Sequence, residues 1–468
     1  MDFRETTVER LVGDVHARRL SARELTQAAI ANIESLNPKL NALCAVDFDD
    51  ALRQAEAIDG LLQQGDPVGP LAGIPIGVKD LEDARGFVTT YGSALHTGDE
   101  PAPEDSPLVA LLRRAGCVIV GKTNTPEFGF KGMTDNRPFG ATRNPWNLEY
   151  SSGGSSGGTA AALASGMLPL GTGSDGGGSI RIPSSVCGFS GIKPSQGRVP
   201  VGGRFAPGSG ILTVKGPTAL RTRDVAYALD AVLQEDPTDI FSMPRPTESW
   251  RGALNHENRP KRVVWSPTMG FSKVDSQVLG HCEAGIKALN GAGVDVVVLE
   301  EIWDEDPGRW WYAFWSSARA RAQGELRGTP EWELIDEELR PQIEHGLEKV
   351  SGVDYAKALD ACHYLNAKLL DAFRLGDFIL TPTTNGQAPQ VDSPFGTIDG
   401  EQTRRWASMT LGINMTRNPA GTVNVGQTDT GLPVGLQIIG RQRDDVGVLR
   451  TMCFLEDLLG QPHAAPLR

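Results

Sequence analysis

The sequence predicts an α/β fold, and three observations carry that reading. Helix-period and strand-period segments alternate along most of the 468 residues, the pattern of a sheet flanked by helices. Apolar runs of strand length, residues 117–120 and 378–380 among them, follow helical segments and are bounded by glycine, proline or charge. Two blocks rich in serine and glycine, residues 153–158 and 173–179, stand where such elements meet, and their glycines permit backbone that other residues avoid.

The elements follow in order. Ser21-Ala22-Arg23-Glu24 reads as a capping box, opening an amphipathic helix to about Leu36 that Asn37-Pro38 stops. A second helix is expected over 49–64. Over 73–80, Gly-Ile-Pro-Ile-Gly-Val-Lys-Asp alternates apolar with other residues, the period of a strand with one buried face, and Lys79 falls at its end. Ser106-Pro107 starts a helix that closes at Gly116, and 117–120 is a buried strand. A helix over 160–165 leaves the first glycine block, and a strand over 167–170 enters the second. From 235 to 261 the composition shifts to Pro, Asp, Ser and Asn, an excursion or joint. A strand at 263–265, a helix over 276–289 and a strand over 294–299 come next. An aromatic segment (Trp310, Trp311, Phe314, Trp315) and two charged helices run to about Leu375. Strands at 378–380 and 434–439 and a helix over 446–459 resume the alternation. Aromatics at helical spacing are read first as core.

Charge and composition exclude several function classes. A net charge of −13 and a pI near 5.1 oppose nucleic-acid binding, which needs clustered Lys and Arg. No stretch reaches the roughly 18 apolar residues of a membrane span, and the start lacks an apolar leader core, so a cytoplasmic protein with no membrane partner is expected. The six cysteines form no C-x-x-C pair and the seven histidines no H-E-x-x-H group, so neither a disulfide frame nor a metal site is expected.

Three familiar spellings occur by letter. Residues 116–123 fit G-x-x-x-x-G-K-T, but the four middle positions are a continuous apolar strand and Pro126 follows where a phosphate-binding helix would begin. Residues 171–176 fit G-x-G-x-x-G, yet Pro194 and Pro200 stand where the second strand of a dinucleotide unit would be. Residues 153–157 fit the nucleophile elbow G-x-S-x-G with Ser155 as nucleophile, a rival reading. The elbow needs an apolar strand before it, and Asn144-Pro145-Trp146-Asn147-Leu148-Glu149-Tyr150 is polar and broken by proline.

Lys79 in its Gly-Ile-Pro-Ile-Gly-Val-Lys-Asp setting, the block 153–158, and Gly173-Ser174-Asp175-Gly176-Gly177-Gly178-Ser179-Ile180-Arg181 together resemble the amidase signature family. Gly121-Lys122-Thr123-Asn124, residues 139–146, Gly191-Ile192-Lys193-Pro194, Thr381-Pro382-Thr383 and residues 431–437 are similar too. The resemblance implies one large domain over 1–468, a mixed sheet flanked by helices on both faces, with the core motifs over 73–195 and a helical, aromatic excursion over about 235–375. It implies a cofactor-free Ser-cisSer-Lys hydrolase: Ser179 the nucleophile, Ser155 the bridging serine on a cis peptide bond, Lys79 the general base. The N–H groups of Gly176, Gly177, Gly178 and Ser179 would form the oxyanion hole, Gly129 would line the acyl pocket, and Asp175 and Arg181 would brace the loop.

The chemistry stands on its own terms. A serine hydroxyl needs a base, and no histidine is placed to serve. A lysine serves only when neutral, which means lowering its pKa from roughly 10.4 toward 7–8, or about 4 kcal/mol of desolvation and neighbouring polarity. The bridging serine would pass a proton from Ser179 to Lys79 during attack and return one to the departing nitrogen. The substrate is then a small or extended amide, or a carbamate (urethane), with esters also reactive. Segments 129–139 and 310–315 are where substrate selection is expected, in a monomer or homodimer.

Two departures and two other readings accompany this one. The run Gly176-Gly177-Gly178 implies a looser oxyanion loop or a bulkier acyl group, and residues 418–426 only partly follow the Pro-Ala-x-Ser-x-Pro pattern. The alternative is the ammonia-releasing component of a tRNA-dependent amidotransferase, which draws ammonia from glutamine, although residues 205–217 lack a Ser-Leu-Asp-Gln stretch. An inactive binding relative is disfavoured with Lys79, Ser155 and Ser179 all present.

Overall fold

The computed structural model describes residues 1–202, 210–255 and 259–467. Of the stretch 205–217, residues 205–209 therefore lie outside the described residues. The first half of the chain supplies β1 (Leu43–Val46), β2 (Pro75–Lys79), β3 (Val118–Thr123), β4 (Leu170–Asp175), β5 (Gly191–Lys193) and β6 (Val214–Thr218). The second half supplies β7 (Arg262–Trp265), β8 (Asp295–Val298), β9 (Phe378–Pro382), β10 (Gly396–Ile398), β11 (Glu401–Thr403), β12 (Ala420–Gln427) and β13 (Pro433–Ile439).

Both large sheets are mixed. The first runs β1-β3-β2-β4-β6, with β2 parallel to β3 and β4 and the two outer strands antiparallel. The second runs β5-β12-β13-β9-β7-β8, antiparallel except where β7 pairs with β8 and β9. One apolar cluster joins Ile76, Val78, Val118 and Ile119 of the first sheet to Leu436 and Ile438 of the second. Leu25, Leu108, Leu229 and Met452 contribute to it from four helices. A core shared by both sheets makes this a single α/β domain.

Between β4 and β6 the chain leaves the first sheet, forms the helix Arg181–Cys187, and pairs β5 into the second sheet before returning. The second glycine block makes this crossing, so it lies where the two sheets meet.

Several boundaries differ from the sequence reading. The capping box is present, with Ser21 and Glu24 bonded reciprocally, but its helix runs through Pro38 to Leu40. The missing proline N–H falls in the last turn, and Asn37 holds that turn by accepting from the N–H groups of Ala42 and Leu43. The strand at 73–80 does not alternate in burial: β2 is buried at every position, with the helices Ala22–Leu40 and Gly157–Ala164 packed against it. β4 begins only at Leu170 and continues through Gly171 and Gly173 to Asp175, small residues that fit a fully covered strand. Within 235–375, β7 and β8 belong to the second sheet, so only its helical part is an addition. Among the described residues no helix is long and apolar enough to cross a membrane.

Candidate active site

Lys79 is the last residue of β2, and its backbone N–H donates to Thr172 Oγ1 of β4 at 2.8 Å. The side chain is fully buried. Nζ lies 2.7 Å from Ser155 Oγ, 2.9 Å from Ser156 Oγ and 3.0 Å from Ser174 Oγ. Burial pulls its pKa down to about 7, against the opposing fields of the Glu82 and Asp175 carboxylates. Hydroxyls solvate an ammonium far less well than water does, so the neutral amine gains.

The first glycine block presents Ser155. The Gly154-Ser155 peptide bond is cis, and the Ser155 carbonyl accepts from Thr125 Oγ1 at 2.9 Å. Ser156 N–H donates to the Ser179 carbonyl at 3.2 Å, tying the two blocks together. No strand precedes Ser155; residues 144–154 form only isolated bridges. The partner of its hydroxyl is a lysine, so the elbow geometry is not the one present.

Ser179 sits in the turn before the helix Arg181–Cys187, partly exposed. It lines two cavities, one of about 700 Å³ and one of about 370 Å³. Among the described residues no hydrogen bond involves its hydroxyl, so the structure joins Lys79 to Ser155 but leaves the Ser155–Ser179 link unmade.

The loop 176–178 is tied at each residue. Gly176 O accepts from Trp311 Nε1 at 2.8 Å, Gly177 O from Thr410 Oγ1 at 2.6 Å, and Gly178 N–H donates to Asp175 Oδ1 at 2.7 Å. Two expectations change as a result. The three glycines do not loosen the loop, and the Gly178 N–H is committed to a carboxylate instead of being free for an oxyanion. Gly178 has φ +124, a left-handed region that suits glycine and turns this N–H inward. The N–H groups of Gly176, Gly177 and Ser179 have no partner among the described residues.

Asp175 and Arg181 do brace the loop. Both are fully buried, with Arg181 Nε and Nη2 on the two carboxylate oxygens at 3.0 and 2.9 Å. Asn414 Nδ2 adds a bond to Asp175 Oδ1 at 2.9 Å. Burial works against the carboxylate charge, but the Arg181 guanidinium outweighs it and holds the carboxyl well below the usual range.

Gly129 belongs to both cavity walls. Its φ is +72, and a Cβ there would come 3.1 Å from Ser155 Oγ and 2.9 Å from Leu81 Cδ1. The aromatic segment 310–315 lies on the helix Gly308–Gln323 and divides its roles. Phe314 is core, whereas Trp311 and Trp315 line the larger cavity with Phe130, Met133, Trp406 and Leu411. Ser156 and Ser174 escaped the sequence reading as parts of this site, although both stand inside the quoted glycine blocks, whereas Trp311 lies in the segment 310–315 named for substrate selection. The partners of Asp175 and Lys79 from residues 410–414 and 172 carried no local signal. No cluster of three or more His, Cys, Asp or Glu suited to a metal occurs among the described residues.

Comparison with known proteins finds relatives along nearly the whole chain. The family model described as Amidase matches residues 24–449. The acylamidase of Rhodococcus erythropolis is 34% identical over 466 residues, 95% of this chain and 94% of that protein. A glutamyl-tRNA(Gln) amidotransferase component of Chloroflexus aggregans is 33% identical over 457 residues, 93% of this chain and 92% of that one. Among solved structures, a bacterial aryl acylamidase of the amidase signature enzymes superposes with a TM-score of 0.91 at 28% identity, covering 99% of each chain. The 6-aminohexanoate cyclic dimer hydrolase, solved with its substrate, gives a TM-score of 0.89 at 28% identity over 100% of this chain and 99% of the other. Fold, motifs and relatedness coincide over nearly the whole length, and the chain belongs to the amidase signature family of amide-cleaving hydrolases.

Proposed function

We propose that the protein hydrolyses the C–N bond of an amide or a carbamate through an acyl-enzyme on Ser179, with Ser155 as proton relay and Lys79 as base. The observation that carries this reading is the buried Lys79 amine, 2.7 Å from Ser155 Oγ, with a pKa of about 7. Ser156 Oγ takes the backbone N–H of Ser174 and lies 3.4 Å from its carbonyl, so its hydroxyl hydrogen is engaged there. A neutral Lys79 then donates its two N–H bonds to Ser156 and Ser174, and its lone pair accepts the Ser155 hydroxyl.

Attack requires the Ser179 hydroxyl, which has no hydrogen bond among the described residues, to turn to Ser155, with which it shares the smaller cavity. The Ser179 oxygen bonds to the carbonyl carbon as its proton passes to Ser155 and that of Ser155 to Lys79. The oxygen of the tetrahedral intermediate faces the N–H groups of Gly176, Gly177 and Ser179. The protons then run back, the leaving nitrogen departs as an amine, and water repeats the sequence on the acyl-enzyme. Carbamates follow the same course. The aromatic wall of the larger cavity suits an apolar or aromatic group.

Intact-mass labelling with a fluorophosphonate followed by peptide mapping tests the assignment. Label on Ser179, lost in Ser179→Ala, is expected; label on Ser155 would restore the elbow reading. A second reading, the ammonia-releasing component of an amidotransferase, draws support from relatives of that description. Turnover of amides other than glutamine by the isolated chain separates the two, since a component of that kind is expected to need its complex.

A further inference from the structure

The helix Gly308–Gln323 carries Trp311, Trp315, Arg319 and Gln323 one turn apart along a single face. That face runs from the larger cavity into the smaller. Trp311 and Trp315 stack with centroids 4.8 Å apart, and the Arg319 guanidinium lies 4.6 Å from the Trp315 ring centroid. Arg319 is only 5% exposed and Gln323 7%, a depth at which a guanidinium normally has a counter-ion.

Arg319 has none among the described residues. No carboxylate lies within ion-pair distance, its Nε has no partner, and Gln323 Oε1 has none either. Burial without an anion pulls its pKa down to about 10. Glu127, the acidic side chain whose field reaches it, is engaged by the Ser93 hydroxyl and the Asp336 N–H. Lys215, the other cation of the smaller cavity, is paired with Glu82 at 2.7 Å. The same cavity ends on Ser155, Ser174 and Ser179, so a group held at Arg319 belongs to a molecule whose other end reaches the seryl hydroxyls.

We infer that the smaller cavity receives a carboxylate, and that the substrate is an amide one half of which ends in that anion, bound by Arg319. The planar guanidinium fork matches a carboxylate. Gln323, turned so that its amide nitrogen faces the cavity, supplies a second donor. The inference rests on the acyl-transfer reading above and adds its substrate class.

Two matched pairs test it and identify the half that bears the charge. 4-Acetamidobenzoate against 4-acetamidobenzamide places the carboxylate on the amine half; succinic acid monoanilide against N-phenylsuccinamide places it on the acyl half. The readout is the concentration of each that protects Ser179 from a fluorophosphonate, which measures occupancy whether or not the compound turns over. In one pair the acid is expected to protect at a concentration about tenfold or more below its neutral partner, on the scale of a charge-assisted hydrogen bond. Arg319→Gln should erase that preference and Arg319→Lys restore part of it. Equal or weaker protection by both acids overturns the inference, as does a preference that survives Arg319→Gln. If Ser179 takes no label at all, the acyl-transfer reading fails and the inference falls with it.

Discussion

Lys79 ends β2 and Lys122 stands one residue before the end of the neighbouring β3, both fully buried, and only Lys122 has a carboxylate: its Nζ lies 2.9 Å from Asp80 Oδ1. Lys79 is held by three serine hydroxyls instead. The same residue type at the same end of parallel strands is thus an ion-pair member in one place and an amine biased toward neutrality in the other. The proposed chemistry depends on that difference.

Activity should therefore follow the deprotonation of Lys79. For a neutral amide, kcat/KM is expected to climb about tenfold per pH unit below 7 and to level off above it, because the base works only without its proton. A profile that is flat from about pH 5.5 to 8 would count against a lysine base.

Stability carries the same signature. An unfolded lysine keeps its proton to about 10.4, while folded Lys79 releases it at about 7. At this residue the unfolded chain thus binds more protons between those values, so the contribution of Lys79 to stability rises with pH across that window and is lost as pH falls toward 7. Lys193, fully buried and pulled to about 7 by burial and by Arg181, adds a second contribution of the same sign. Lys79→Met should lose amide turnover by about 10²–10⁴-fold. It should also reduce the rise of urea-unfolding free energy with pH between 7 and about 8, leaving the Lys193 share; at higher pH the buried cysteines, whose pKa values burial raises, act in the opposite sense.

Asp175→Asn leaves Arg181 charged and fully buried without its counter-ion. The expected cost is about 3–5 kcal/mol in chemical denaturation, with turnover falling alongside because Gly178 and Asn414 lose their anchor. Wild-type stability in this variant would show that the pair does not organise the loop.

Gly129→Ala places a methyl against Ser155 Oγ and Leu81 at positive φ. Leu81 can swing aside; the serine can do so only by leaving Lys79. A drop in kcat of about 10²-fold is expected, the scale of a small misplacement of a reacting group, with a stability loss of about 1–3 kcal/mol. Unaltered kcat would place Gly129 away from the reacting serine.

Much of this protein is local and can be read from sequence: the capping box at Ser21, the apolar run of β3, the glycine blocks and the positions of Lys79, Ser155 and Ser179 depend on neighbouring residues in the chain. Only the tertiary structure decides what surrounds them. The bonds from Trp311 and Thr410 that fasten the glycine loop, the bond from Asn414 that holds Asp175, and the choice of hydroxyls over a carboxylate for Lys79 all join segments far apart in sequence. Arg319, without a counter-ion among the described residues, shares a cavity with the serines for the same reason. Desolvation and charge pairing act through space, and a lysine's protonation is settled by whichever groups the fold brings within a few ångströms of it.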